Sequence, residues 1–196
     1  SNAVNMPSVT AEEAPLLKPY MKLAENLASF SGQVIGSAIR SIKIEFEGLA
    51  AEINEEPVVA AALTGLLKPT LASVTMVSAR AEAQARGIAV TTIKHDRPCD
   101  YQTMLRVTVE TGARTRSVAG TLFAGSLPRL VDVQGITIEA EFGDHMLYVR
   151  NYDKPGFIGA LGSALGDAGV NIATFHLGRR EEGGEAVALV EVDSAV

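Results

Sequence analysis

Tryptophan is missing from this sequence, and aromatic residues make up only 5% of it. Any core must therefore be mostly aliphatic, and a hydrophobic content of 47% is ample for one. The single cysteine excludes a framework of intrachain disulfides and suits a reducing compartment, so we expect a cytoplasmic protein. No apolar run reaches the roughly 20 residues that cross a bilayer, and no signal peptide is recognisable, so no membrane partner is expected.

Basic residues are also scarce. The chain has 17 Lys and Arg residues against 23 Asp and Glu residues, which gives a formal net charge of −6. Nucleic-acid-binding proteins carry a basic patch that attracts phosphates, and this composition offers no such excess. We therefore expect no nucleic-acid partner.

The familiar catalytic and nucleotide-binding motifs are absent. No G-x-G-x-x-G follows a strand, and there is no P-loop, nucleophile elbow or H-E-x-x-H. His95 and Cys99 are four residues apart, which on a helix would suit two metal ligands, but Pro98 favours a loop. Cys99 as a nucleophile lacks a base partner in the pattern. We expect no catalytic residue, no metal site and no cofactor in the chain as given.

The first part of the chain predicts one amphipathic helix. Residues 10–13, Thr-Ala-Glu-Glu, fit a capping box, and Ser31-Gly32-Gln33 is typical of a linker after the helix. The helix would present an apolar stripe formed by Tyr20, Leu23, Leu27 and Phe30. That stripe needs a cover, which is the chain's own core, a second copy, or a domain outside this sequence. We expect it to be left exposed and to drive self-association.

The middle of the chain predicts an α+β domain with a mostly antiparallel sheet. A strand at residues 39–47, with a bulge near Arg40 and Ser41, precedes two helices at 57–67 and 70–86. Further strands are predicted at 88–94, 104–110, 116–123, 129–133 and 137–141. The basic side chains of this region either converge on a small phosphorylated ligand or lie on a solvated sheet face: Lys94, Arg97, Arg106, Arg114, Arg116 and Arg129.

Residues 146–172 predict a strand, a turn, a helix and a second strand. Asp153 suits a helix cap and Pro155 a first-turn position, while Gly169 suits the end of the helix. The apolar face of the helix would be formed by Phe157, Leu161, Leu165 and Ala168. A second stripe consists of glycines, which helices avoid, so we expect something to pack very close to it: Gly159, Gly162 and Gly166.

The polar groups around this helix are suited to binding. The helix start at Gly156 offers unpaired N–H groups for a carboxylate, and Asp153 offers a negative charge for an ammonium. Asn151 and Asn171 flank the helix and supply amide donors and acceptors. Together these groups would suit a free amino acid. The alternative is that Asp153 only caps the helix and both asparagines only serve turns.

The D-x-P-G and G-V-N-I motifs at this spacing resemble the ACT domain, a ferredoxin-like regulatory module that binds amino acids. The resemblance covers about residues 145–193 and implies an effector site at Asn151, Asp153, Pro155, Gly156, Phe157, Ile158, Asn171 and Ile172. A full ACT domain has the order βαββαβ. Only four residues follow Val192, so we expect the last helix and strand to be missing here.

The order of segments is similar to the C-terminal part of the D-3-phosphoglycerate dehydrogenase family. LKPYMKLAENL and the NYDKPG…GVNI pair carry the resemblance. It implies a tail helix and linker at 4–35, an intervening domain at 36–142 and a truncated ACT domain at 143–196, after a tag remnant at 1–3. It also implies NAD in the parent enzyme, L-serine as effector, and a homo-oligomer held through ACT and tail-helix contacts. Arg129 is the one basic residue where the family expects an anion site.

Two other functions remain open. The chain could be a stand-alone amino-acid-sensing module, or the regulatory β part of an iron–sulfur L-serine dehydratase. A stand-alone module would need a place for the first helix within its own fold. The dehydratase part is not expected to begin with the LKPYMKLAENL helix.

Overall fold

The computed structural model describes residues 9–35 and 38–196. The predicted tag remnant at residues 1–3 and the predicted domain boundary at residue 36 lie outside the described residues. The helices and strands in chain order are α1 (Ala14–Ile35), β1 (Ile39–Gly48), α2 (Glu55–Leu67), α3 (Ala79–Ala85), β2 (Ala89–His95), β3 (Thr103–Thr111), β4 (Thr115–Phe123), β5 (Leu127–Val133), β6 (Ile136–Ala140), β7 (Met146–Tyr152), α4 (Phe157–Asp167), β8 (Ile172–Arg179) and β9 (Glu185–Val192), with a short 3-10 helix at Leu49–Glu52.

The strands form two sheets. Six strands are hydrogen-bonded in the order β2-β1-β3-β4-β5-β6, and three in the order β7-β9-β8. β1 and β2 are parallel because α2 and α3 carry the chain back between them, whereas β1–β3, β3–β4, β5–β6, β7–β9 and β8–β9 are antiparallel. The predicted α+β class with a mostly antiparallel sheet is confirmed. The bulge in β1 is also confirmed, since its register with β3 shifts between Ile39 and Ser41.

The chain divides between Arg129 and Leu130 into two compact units. In the first unit, α1 begins with the predicted capping box. The Thr10 hydroxyl accepts a hydrogen bond from the Glu13 amide at 3.2 Å, and the Glu13 carboxylate accepts one from the Thr10 amide at 3.2 Å. These two bonds use donors that the helix itself leaves unpaired, which fixes where the helix begins.

The prediction that the apolar stripe of α1 is left exposed is wrong. Leu23 and Leu27 are 0% exposed and Tyr20 is 4% exposed, because α1 packs on α2, β3 and β4 of its own unit. Gly120 in β4 makes room for this contact, since a Cβ there would lie 2.7 Å from Leu23 Cδ1. Tyr20 also shares a hydrogen bond of 3.0 Å with Thr103. Self-association through an exposed stripe on this helix is therefore not supported.

The predicted linker at residues 31–33 is also wrong, because α1 continues to Ile35. Ser31 is completely buried, and α1 lies so close to α2 that a Cβ on Gly32 would be 3.0 Å from the Leu66 carbonyl oxygen. On the other side of the contact, a Cβ on Gly65 would lie 2.2 Å from the Glu25 carbonyl oxygen. Glycine thus serves here to bring two helix backbones together, and the packing gained outweighs its helix penalty of about 1 kcal/mol.

The predicted helix at 57–67 is confirmed as α2, which Asn54 caps through a hydrogen bond from the Glu56 amide at 3.3 Å. The predicted helix at 70–86 is wrong over most of its length, because only Ala79–Ala85 is helical. The cause is local: the Thr75 amide donates to the Ser78 hydroxyl at 3.0 Å, and the Ser78 amide donates to the Thr75 hydroxyl at 3.3 Å. These reciprocal bonds have the pattern of a capping box, like those of Thr10 and Glu13, so a new helical turn starts after Thr75 instead of α2 continuing.

The second unit contains the βαββ part of the ACT-like segment, which confirms the prediction of a partial ACT domain. α4 packs on the sheet through Phe157, Leu161 and Leu165 against Ala188 and Val190 of β9. β6 contacts β8 and β9, and a Cβ on Gly178 of β8 would lie 2.4 Å from the Thr137 carbonyl oxygen. Among the described strands, β7 is an edge strand that pairs with β9 alone.

The C-terminal end of α4 was predicted correctly, but its start was not. Gly169 ends the helix as expected, with φ +71°, a bond from its own amide to the Gly166 carbonyl and one from the Val170 amide to the Leu165 carbonyl. The start is two to three residues later than expected: Gly156 caps the helix with φ +92°, and Pro155 precedes the first turn. Ala168, predicted on the apolar face, is exposed.

The glycine stripe of α4 is not covered as the sequence suggested. A Cβ added at any of its three positions meets nothing within 4 Å among the described residues: Gly159, Gly162 and Gly166. The expectation that something packs very close to this face is therefore wrong for the chain itself.

Candidate effector site

A groove of about 470 Å³ lies at the start of α4. One wall is the segment that joins β7 to α4, and the other is the turn between β8 and β9. The residues that line the groove are Asp153, Lys154, Pro155, Gly156, Ile158, Gly159, Arg179, Glu182 and Gly183. Of the eight predicted effector residues, four line this groove: Asp153, Pro155, Gly156 and Ile158.

Asp153 does not cap α4, because its carboxylate is used elsewhere. Oδ2 accepts hydrogen bonds from Arg179 Nη1 and from the Gly183 amide, the latter at 3.3 Å. The bond from Arg179 holds the pKa of Asp153 below its ordinary value of 3.8, with a smaller contribution from the Gly183 amide. The carboxylate is therefore ionised at neutral pH. Within the described part of the chain, its second oxygen accepts no hydrogen bond.

The first turn of α4 leaves donors facing the groove. No side chain among the described residues caps the helix at Gly156, so the amides of Ile158 and Gly159 have no side-chain acceptor. Both residues line the groove. Unpaired amides at the positive end of a helix dipole favour an anion such as a carboxylate. The groove thus combines a negative group at Asp153 with positive potential at the helix start.

The other four predicted residues lie outside the groove lining. Asn151 donates from Nδ2 to the Tyr152 carbonyl at 2.9 Å, and its Oδ1 is buried with no partner among the described residues. Asn171 donates to Asp193 Oδ2 at 2.8 Å. Phe157 and Ile172 pack in the core between α4 and the sheet. Asn171 precedes β8, at the opposite end of that strand from Arg179, and so lies away from the groove. The structure therefore brings four of the eight predicted positions together and leaves the other four outside the groove lining.

The predicted effector set missed five residues of the groove lining: Lys154 and Gly159 lie next to predicted residues, whereas Arg179, Glu182 and Gly183 come from the β8–β9 side. The topology explains why they belong to the site. β9 is antiparallel to both β7 and β8, so β7 and β8 are parallel and their carboxyl ends share one edge of the sheet. Asp153 follows β7 and Arg179 ends β8, which brings residues 26 apart in sequence into contact. The βαββ pattern together with the Arg-rich turn at 179–184 was the signal that could have revealed them.

Arg129, the predicted anion-binding residue, contacts other residues of the first unit. Its guanidinium lies 5.4 Å from the centre of the Phe123 ring, and Nη1 donates to the Pro128 carbonyl at 3.1 Å. It lines neither the groove at the start of α4 nor the crevice at the carboxyl ends of β1 and β2. Anion binding by Arg129 remains a prediction.

Two of the other basic residues predicted to bind a phosphorylated ligand lie together, and the remaining three do not line the same crevice. Lys94 and Arg97 line a crevice of about 650 Å³ at the carboxyl ends of β1 and β2. Each is already paired with a glutamate, Lys94 with Glu55 at 3.8 Å and Arg97 with Glu47 at 3.2 Å. The crevice is therefore close to charge balance and is not a ready phosphate site.

His95 and Cys99 are separated as a loop at Pro98 would predict. His95 Nε2 bonds to Glu45 Oε1 at 2.9 Å, and the Cys99 thiol donates to the Tyr101 carbonyl at 2.7 Å. In the described part of the chain, no three His, Cys, Asp or Glu side chains lie together as metal ligands would. Across residues 9–35 and 38–196, no helix has both the length and the apolar character to cross a bilayer.

Comparison with known proteins gives two matching domains and a set of relatives. Residues 16–134 match the D-3-phosphoglycerate dehydrogenase intervening domain, and residues 145–196 match the ACT domain. D-3-phosphoglycerate dehydrogenase of Bacillus subtilis is 32% identical over 193 residues, which are 98% of this chain and 37% of that protein. The Synechocystis protein of the same name is 36% identical over 194 residues, 98% of this chain and 35% of the relative.

A third relative, D-3-phosphoglycerate dehydrogenase of Archaeoglobus fulgidus, is 33% identical over 195 residues, 98% of this chain and 37% of that protein. The chain thus spans little more than a third of the length of the curated relatives it matches. Both domain matches and all three relatives favour this family over a stand-alone sensor or a dehydratase subunit. The chain belongs to the D-3-phosphoglycerate dehydrogenase family and comprises its intervening domain and an ACT domain.

Proposed function

We propose that the ACT domain of this chain binds a free amino acid, L-serine, in the groove at the start of α4. The observation that carries the proposal is the groove itself: an ionised carboxylate at Asp153 faces uncapped helix amides at Ile158 and Gly159. An amino acid has an ammonium and a carboxylate a few ångströms apart, so it complements both charges at once. Its position in an ACT domain supports a regulatory role.

The whole protein, by its family, would catalyse the NAD-dependent oxidation of 3-phosphoglycerate, the first step of serine biosynthesis. L-Serine would then be the end product that regulates the enzyme by feedback. The nucleotide cofactor and the catalytic residues would belong to the rest of the protein, and the chain described here would contribute the regulatory response.

The effector site would be completed by a second ACT domain. The uncovered glycine face of α4 and the edge of β7 both offer surface for such a contact in a homo-oligomer. Contacts through α1 are not part of this proposal, because α1 is covered by its own unit.

Isothermal titration of L-serine into the protein tests the proposal. Each charge-assisted hydrogen bond contributes about 1.5–3 kcal/mol, so two or three in a preorganised site support micromolar binding, about −8 kcal/mol. Asp153→Ala should abolish the binding heat, whereas Arg129→Ala should leave it unchanged. Serine binding by Asp153→Ala equal to that of the unmutated protein would contradict the site assignment.

A further inference from the structure

We propose that Arg179 is the residue that binds the carboxylate of the effector and so makes the groove selective for an α-amino acid over an amine. This inference rests on the proposed function and deepens it. The juxtaposition that carries it is the Arg179–Asp153 ion pair, which joins the two walls of the groove beside the uncapped start of α4.

Both partners of the ion pair retain hydrogen-bonding groups that can bind a ligand. A guanidinium has five N–H donors, and Asp153 engages Arg179 through Nη1. The remaining donors form no hydrogen bond within the described part of the chain, and Arg179 lines the groove. Asp153 likewise retains one oxygen. A zwitterion can therefore bind between the two residues, its ammonium on Asp153 and its carboxylate on Arg179, without breaking the pair.

The charge balance of the groove requires Arg179. Its charged lining residues are Asp153 and Glu182, which are negative, and Lys154 and Arg179, which are positive. With all four present the lining is neutral, as is a free amino acid. Without Arg179 the two carboxylates would outnumber Lys154, and the carboxylate of an effector would be repelled.

Arg179 is better prepared for this role than Lys154. Its guanidinium is held by Asp153, so little side-chain freedom is lost when a ligand binds, and its planar donors match a carboxylate. Lys154 is exposed and forms no ion pair with a described carboxylate, so its ammonium must be ordered by the ligand. Because Lys154 lines the same groove, the matched control is Arg180, which follows Arg179 in sequence, does not line the groove and donates to the Gln134 carbonyl at 2.8 Å.

The test is a binding cycle with two variants and two ligands, measured by isothermal titration. L-Serinamide keeps the ammonium and the hydroxymethyl group of L-serine but replaces the carboxylate with an uncharged amide. Arg179→Gln should raise the Kd for L-serine by about ten- to a hundredfold and change the Kd for L-serinamide by less than about threefold. Arg180→Gln, which removes a guanidinium outside the groove, should change either Kd by less than about threefold.

The outcomes separate the two proposals. If the unmutated protein binds L-serine and Arg179→Gln weakens both ligands equally, Arg179 only positions Asp153, and the inference is overturned while the proposed function stands. Unchanged or tighter serine binding by Arg179→Gln also overturns it. Unmutated protein that binds L-serine and L-serinamide equally well contradicts carboxylate recognition without any variant. If no L-serine binds to the unmutated protein, the proposed function fails and the inference with it.

Discussion

Gly65 marks the closest approach of α1 and α2, and replacing it with alanine should destabilise the first unit. A Cβ at this position would lie 2.2 Å from the carbonyl oxygen of Glu25. Ordinary carbon–oxygen contacts are about 3.3 Å or longer, so the two helices would have to separate by about 1 Å. The obstacle is a backbone atom, which cannot rotate away as the end of a flexible side chain can.

Two opposing terms set the magnitude. Alanine is favoured over glycine inside a helix by about 1 kcal/mol. Against this, overpacking costs about 1–3 kcal/mol, and a gap of up to 1 Å removes a quarter to a half of the dispersion energy of each contact along the interface. The same interface includes Leu66, which is 2% exposed and whose carbonyl oxygen and Cδ1 would lie 3.0 and 3.2 Å from a Cβ on Gly32. Because the obstacle is backbone, we take the upper end of the overpacking cost, which leaves a net loss of about 2 kcal/mol.

Urea unfolding followed by circular dichroism measures the effect, with Gly162→Ala as the control. Gly162 is also inside a helix, but a Cβ there meets nothing within 4 Å among the described residues, so this change should stabilise α4 by up to about 1 kcal/mol. Gly65→Ala should lower the unfolding midpoint of its unit by about 1 M urea. If Gly65→Ala proves as stable as the unmutated protein, the close helix contact and the argument from it are wrong.

Two further predictions concern stability. Gly178→Ala should increase amide hydrogen exchange in β6 and β8, because its Cβ would lie 2.4 Å from the Thr137 carbonyl oxygen; unchanged exchange would contradict that contact. Glu45 is buried, which opposes its ionisation, but hydrogen bonds from His95 and Lys43 outweigh burial and hold its pKa below the ordinary 4.5. Its stabilising contribution is therefore present above about pH 4.5 and is lost as the pH falls through the folded-state pKa. Glu45→Gln should thus flatten the fall of the urea midpoint below pH 4.5, and an unchanged slope would exclude this role.

Local patterns predicted those parts of the fold that depend on neighbours in sequence. The predicted strand at residues 39–47 is confirmed as β1, where the alternate residues Ile42, Ile44 and Phe46 are all 0% exposed. Gly87 and Gly169 end their helices with φ of +68° and +71°, as glycine at these positions predicts. Such features depend on only a few neighbouring residues. Side chains point alternately to the two faces of a strand, and a backbone position with positive φ favours glycine.

The segments that were predicted wrongly are determined by contacts with residues far away in sequence or by local side-chain hydrogen bonds. Gly32 looked like the end of α1, but contact with Leu66 of α2 makes glycine useful inside the helix. Residues 70–78 were predicted as helix, but the reciprocal bonds of Thr75 and Ser78 start a new helical turn only after Thr75. In each case the deciding interaction was either long-range or a side-chain bond that propensity does not contain.

The candidate site also has one part that local sequence predicted and one part that it did not. The β7–α4 segment was predicted from its motif, and its Asp153, Pro155, Gly156 and Ile158 line the groove. The opposite wall comes from the β8–β9 turn, which only the strand order brings next to it. Asp153 was predicted to suit a helix cap, but its carboxylate accepts a hydrogen bond from Arg179, which is distant in sequence.

A titration of L-serine into isotopically labelled protein, followed by amide NMR, tests the central claim most directly. The account predicts that the amide resonances of Gly156, Ile158, Gly159 and Gly183 shift together and saturate, because these residues line the groove. Resonances at the β1–β2 crevice, such as Gly48 and Gln102, should stay in place. Shifts at the crevice without shifts at the start of α4, or no shifts at saturating L-serine, would contradict the account.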